Sequence, residues 1–309
     1  MNRRPVCFFI ALMLFAIGCN LFPPAAATIT PAATEMMPVE PSETIADPAS
    51  EPTVTLTPPP TIPAGFFPIA VGGGYNPGSA TLLGGTEDGV WIQAADAAAR
   101  LSGGETYALY SLAGPQGTAV GSMPAPGRPC LQYVFKWSPA PSATSLIGVG
   151  GGWNALPRTP EEPEISSFPT YTTAAGAWLA AQGVPVPEPM TLTNIMRADL
   201  DGDGNMEAII SASRLSEETG HDVAAGDYSF VLLYREAAAE TILLAGDVYP
   251  AARSLVFPSA YRLLSILDLN GDGRMEVIVH VSLWEGEGTR VFSFDGSAAV
   301  QVLATQCSA

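Results

Sequence analysis

The sequence predicts an α+β fold, mainly antiparallel β. Two propeller-blade-like repeat units follow a small α+β unit, without closure into a propeller. Three observations lead there. A segment rich in Asp and Gly, Asp199–Glu207, recurs 69 residues later as Asp268–Glu276, and β-branched residues follow each copy. Around each copy lie about four apolar stretches of strand length, the makeup of a propeller blade. Upstream the repeat is absent and strand and helix signals mix, so only two blades can be counted where closure would need more.

The chain begins with an address. Arg3 and Arg4 precede an apolar run from Val6 to Gly18. A membrane span needs about 20 apolar residues, and this shorter run fits the h-region of a secretory signal. It ends in Ala16-Ile17-Gly18-Cys19, which resembles the bacterial lipobox, with Ala16 where Leu is commoner. The resemblance implies that residues 1–18 are a lipoprotein signal peptide and that Cys19 carries the lipid. The protein would then be held to the cell membrane by that lipid, facing the extracellular or periplasmic side.

Residues 19–65 read as a Pro/Thr-rich disordered stalk. Between Asn20 and Ala64 there are eleven prolines, eight threonines, and no Lys, Arg or Gly. Such a stretch buries too little apolar surface to offset its ordering entropy. Proline biases it toward an extended spacer of about 3.1 Å per residue.

Charge excludes one class of partner. The 309 residues hold 13 Lys+Arg against 30 Asp+Glu, a net charge of −17, and Lys136 is the single lysine. Binding nucleic acid requires a basic surface to neutralise phosphates, so no nucleic-acid partner is expected. Of four cysteines, Cys7 leaves with the signal and Cys19 takes the lipid. Cys130 and Cys307 remain, an even pair in an oxidising setting, and a disulfide between them is expected; two separate buried thiols are the alternative.

The body starts with a unit over 66–165. Gly89–Gln93 reads as a strand, Ala94–Leu101 as a short helix and Glu105–Leu112 as a strand. Leu131, Tyr133, Phe135 and Trp137 alternate on one face. Gly148-Val-Gly-Gly-Gly152 lacks the strand–turn–helix setting of a dinucleotide loop and reads as a place where backbones pack closely. Pro157–Pro169 reads as a linker. Within 166–309, Tyr171, Ala175, Trp178 and Leu179 fall on one helical face that stops at Gly183, with Trp178 in the core. The repeat units span 190–250 and 260–309.

The loop spacing has a chemical logic. Oxygen side chains at positions 1, 3, 5 and 9, with a backbone carbonyl at 7, can converge on one hard cation, and glycine at 6 permits a left-handed turn. Calcium takes six to eight oxygens at about 2.3–2.6 Å. No His or Cys cluster points to zinc or copper. An EF-hand is excluded because position 12 is Ile210 or Val279 instead of a bidentate glutamate, and strand follows instead of helix. The pattern resembles the calcium loops of FG-GAP or VCBS-type repeats in integrin-α-like propellers. That resemblance implies two calcium sites. Asp199, Asp201, Asp203 and Glu207 would give side chains and Asn205 a carbonyl in the first. Asp268, Asn270, Asp272 and Glu276, with the Arg274 carbonyl, would serve the second. Having four carboxylates against three, the first loop is expected to bind more tightly.

No nucleophile or phosphate-loop motif of an enzyme is present. His280 reads as a sheet histidine. His221 sits in an insert of the first unit, Glu217–Asp227, and Trp284 with Glu285 and Glu287 sits in the second. The expected function is a surface-tethered, calcium-stabilised binding or structural module for an extracellular protein or glycan. The alternative is a secreted carbohydrate-active hydrolase using loop carboxylates such as Glu285 or Glu287.

Overall fold

Short apolar strands build three antiparallel sheets, and how those sheets cover one another explains the architecture. The structure, a computed structural model, describes residues 61–73, 78–143, 145–165, 168–215 and 221–308. The segments expected to be a signal peptide and a stalk, up to residue 60 and with Cys19, lie outside these residues, as does part of the insert. Among the described residues no helix is long and apolar enough to cross a membrane.

The first unit comprises β1 (Phe66–Gly73), β2 (Ser79–Glu87), β3 (Val90–Gln93), α1 (Ala94–Ala98), β4 (Thr106–Ser111), β5 (Gly114–Gly121), β6 (Ala125–Pro126), β7 (Tyr133–Ser138) and β8 (Ser145–Val149). Strand β2 pairs with β7 as well as with β1, so β2, β1, β8, β4, β5 and β7 pair in a ring. Its core holds Leu82, Tyr107, Leu109, Phe135, Trp137 and Leu146, with Ala97 added from α1. Glycine makes room for the aromatics. A Cβ on Gly72 would lie 1.9 Å from the Trp137 ring, and one on Gly148 would lie 2.6 Å from it. The glycine run is therefore a strand end under close packing. Leu131 departs from the expected alternation: it precedes β7, adopts φ +56° and is 70% exposed. A left-handed residue breaks the period of two, so only Phe135 and Trp137 point fully inward.

The repeat units are two four-stranded meanders. One is β9 (Asn194–Ala198), β10 (Glu207–Arg214), β11 (Asp227–Arg235) and β12 (Glu240–Tyr249); the other is β13 (Ala260–Leu267), β14 (Glu276–Leu283), β15 (Gly286–Phe294) and β16 (Ala299–Ser308). Both carry a register shift between their last two strands, at Val231/Leu232 and at Val291/Phe292.

Both sheets are apolar on both faces, so each needs two covers. The sheets cover each other through Ile209, Val231 and Leu233 against Val277, Val279 and Phe292. The far face of the first sheet packs Ile210, Phe230 and Leu232 against α2 (Pro169–Ala181), which contributes Tyr171, Ala175 and Leu179. The far face of the second packs Ile278, Val291 and Leu303 against Ile69, Leu83 and Ile147 of the ring. Helix and ring thus occupy the places where neighbouring blades would stack, and no propeller closes. Trp178 departs from its expected place. It is half-buried at the edge of α2, its ring 4.9 Å from Phe230. Pro157–Pro169 is not a plain linker, because Glu161 bridges Arg197 through its backbone.

Cys130, in the turn before β7, is joined to Cys307 on β16 across 177 residues of sequence. In the chain-entropy model a loop of that length contributes about 5 kcal/mol.

Candidate metal centre

Each acidic segment is the hairpin between the first two strands of its sheet: Asp199–Glu207 joins β9 to β10, and Asp268–Glu276 joins β13 to β14. Strand pairing closes directly behind them, with Ala198 opposite Glu207 and Leu267 opposite Glu276.

The two turns repeat one hydrogen-bond pattern. At position 1, Asp199 accepts from the N–H groups of Gly202 and Gly204 at 2.7 and 3.2 Å, and Asp268 from those of Gly271 and Gly273 at 2.6 and 3.0 Å. At position 9, Glu207 and Glu276 each accept the N–H of position 2, from Leu200 at 3.0 Å and Leu269 at 2.8 Å. Asn205 donates its N–H to Asp203, as Arg274 does to Asp272. The glycines at positions 4 and 6 all have φ between +75° and +88°, the left-handed region that a Cβ disfavours. Position 4 thus shares with position 6 a need for glycine that both copies of the sequence display.

Carboxylate oxygens of Asp199, Asp201 and Glu207 come within 4.8 Å of one another. Asp203 lies outside that cluster, its carboxylate turned to the Asn205 side chain at 3.0 Å. In the second loop Asn270 replaces a carboxylate and donates to Asp272 at 3.1 Å. The second loop is also deeper: Asp268, Asn270 and Glu276 are all buried. Trp153 explains part of this, since its Nε1–H donates to the Asp268 carbonyl at 2.9 Å.

Such crowding raises the cost of ionisation. Burial, followed by the charges of Asp201, Asp203 and Asp199, pushes Glu207 up to about 7. Burial, with Asp272 adding to it, pushes Asp268 up to about 6. Burial raises Glu276 well above the carboxylate range, and its Oε1 is buried with no hydrogen-bond partner. An orphaned carboxylate oxygen among crowded acids is chemistry that a hard divalent cation satisfies.

One residue that the sequence argument passed over joins the loops. The Arg158 guanidinium donates to the carbonyls of Asp199, of Leu200 at 3.1 Å and of Gly273 at 2.7 Å. It also lies 3.8 Å from the Asp199 carboxylate. The Met275 N–H donates to the Leu200 carbonyl at 2.8 Å, so the two turns touch directly. Arg158 follows a proline in a polar segment, and nothing local in the sequence distinguishes it from a solvated arginine.

Away from the loops, His221 packs its ring against Phe257 at 5.0 Å and Trp284 at 4.2 Å. Trp284 is half exposed, and Glu285 is exposed beside it. His280 and Glu287 approach to 4.0 Å on the second sheet. Comparison of the chain with protein-family models, curated proteins and solved structures finds no match.

Proposed function

We propose that this protein is a lipid-anchored module outside the cytoplasm whose paired hairpins each bind one calcium ion as a structural element, and that it serves to bind or scaffold an extracellular protein or glycan. The observation that carries the calcium reading is the repeated turn, in which crowded and partly buried carboxylates, with Arg158 alone at ion-pair distance among the described residues, need more positive charge than it brings. Calcium would supply that charge. By the loop spacing, Asp199, Asp201, Asp203 and Glu207 with the Asn205 carbonyl would hold it in the first loop, and Asp268, Asn270, Asp272 and Glu276 with the Arg274 carbonyl in the second. The lipid anchor rests on Ala16-Ile17-Gly18-Cys19 alone, and the FG-GAP or VCBS-type likeness on the loop spacing. A stalk rich in proline would hold the folded part clear of the membrane.

Thermal melts in calcium and in a chelator test the structural role. Calcium should raise the melting temperature, because a ligand that binds only the folded state stabilises it by mass action. An unmoved transition rejects the reading. Calorimetric titration of the Asp201→Asn and Asp272→Asn variants tests the inequality of the sites. The first loop, having more carboxylates, should show the tighter binding and the larger loss.

A further inference from the structure

The contact between the ring and the second sheet is apolar along part of its length and polar along the rest. Leu264, Ile278, Val291 and Leu303 pack against the ring. Farther along the same strands, register brings one residue from each into a row: Arg262 opposite His280, His280 opposite Thr289, and Thr289 opposite Thr305. Directly paired residues of an antiparallel sheet project from the same face. This row, joined by Glu287, faces Thr81 and Gln132 of the ring across a cavity of about 270 Å³. The Gln132 amide donates to the Thr305 hydroxyl at 2.6 Å and closes one side.

We propose that this cleft binds a small hydroxylated carboxylate, a sugar acid of monosaccharide size. The guanidinium specifies the acid. Among the described residues no carboxylate lies within salt-bridge distance of Arg262; Glu287, on the same cleft, acts on it from farther away, which leaves the planar fork open to a ligand carboxylate. The threonines and Glu287 specify hydroxyls: Thr81, Thr289 and Thr305 can donate and accept, and the Glu287 carboxylate accepts from a ligand O–H. Gly72, Ala80 and Leu264 give a small apolar wall for the C–H face of a ring. The cavity lies near the lower end of the range for ligand sites, about 300–1,000 Å³, which suits one sugar unit rather than a chain. Clefts between packed modules are where such sites occur. The proposal does not depend on the hairpins, so the test is run with calcium present throughout.

Titration calorimetry with D-glucuronate, and with D-glucose and acetate as matched controls, tests it on the intact folded chain. Glucuronate should bind saturably, with glucose and acetate each at least tenfold weaker. Arg262 is exposed at the cleft rim, so Arg262→Gln should melt like the parent and lose at least tenfold in glucuronate affinity. Arg262→Lys, which keeps the charge without the fork, should fall between them. Glu287→Gln removes a charged hydroxyl acceptor together with a negative charge that acts on Arg262, so it should strengthen acetate and lower the preference for glucuronate over acetate; an unaltered preference would overturn the role given to Glu287. Absence of saturable glucuronate binding, equal binding of glucose, or unaltered binding by both Arg262 variants would overturn the assignment.

Discussion

Arg158 illustrates how much one side chain can organise. Its three N–H donors reach carbonyls from both acidic turns, and it shares the Leu200 carbonyl with the Met275 N–H. Arg158→Ala should therefore lower stability by at least about 2 kcal/mol, the scale of hydrogen bonds from a charged donor. Chemical denaturation in a chelator measures this without metal. His280 makes a second prediction at this scale. Burial, with Arg262 adding to it, holds its pKa down to about 4, against 6.5 for an ordinary histidine. Between pH 6.5 and 4 the unfolded chain takes up a proton that the folded chain refuses. Its contribution to stability is therefore full above that window, is lost as pH falls through it, and is flat below it. His280→Gln should shrink the difference in melting temperature between pH 7 and pH 4.5. An unchanged difference would mean that the imidazole titrates alike in both states.

Among the elements, the two meanders were legible and the ring was not. The meanders announce themselves because their turns carry a fixed order of acids and glycines, which a 69-residue offset reveals, and their strands are local hairpins. The ring depends on pairings between strands far apart in sequence, β1 with β8 and β2 with β7, and on strands built from glycine and alanine whose alternation is faint. The polar row of the second sheet was hidden for the same reason, since it exists only once four strands are in register. In the ring, glycine is the packing partner of tryptophan. Gly72→Ala would drive a methyl into Trp137 and should cost about 3 kcal/mol or prevent folding, as overpacking does. Gly104→Ala, at a site where nothing lies within 4 Å, should cost less and through backbone strain alone. For the helix, the matching test is Phe230→Ala, which empties the seat beneath Trp178 and should cost about 3–5 kcal/mol.

At the largest scale the described residues form a stack of helix, sheet, sheet and ring, and one disulfide among them ties two layers of it. Cys130 and Cys307 join the ring to the last strand of the second sheet. Replacing both with serine should lower the melting temperature by about 10 °C, from a loss of about 3–5 kcal/mol in a domain of this size. A much smaller change would mean that the apolar contact beside the disulfide already holds the two parts together in the unfolded ensemble. The stack also has a mechanical consequence. A pull on the chain ahead of Phe66 enters the fold at β1, which is no edge strand: β2 borders it on one side and β8 on the other. Peeling it away requires breaking two ladders together instead of unzipping one. Past that point the covalent link passes the load from Cys130 directly to Cys307 on β16 and spares the residues between them. A load arriving along the proposed stalk would thus meet an interior strand of the fold first.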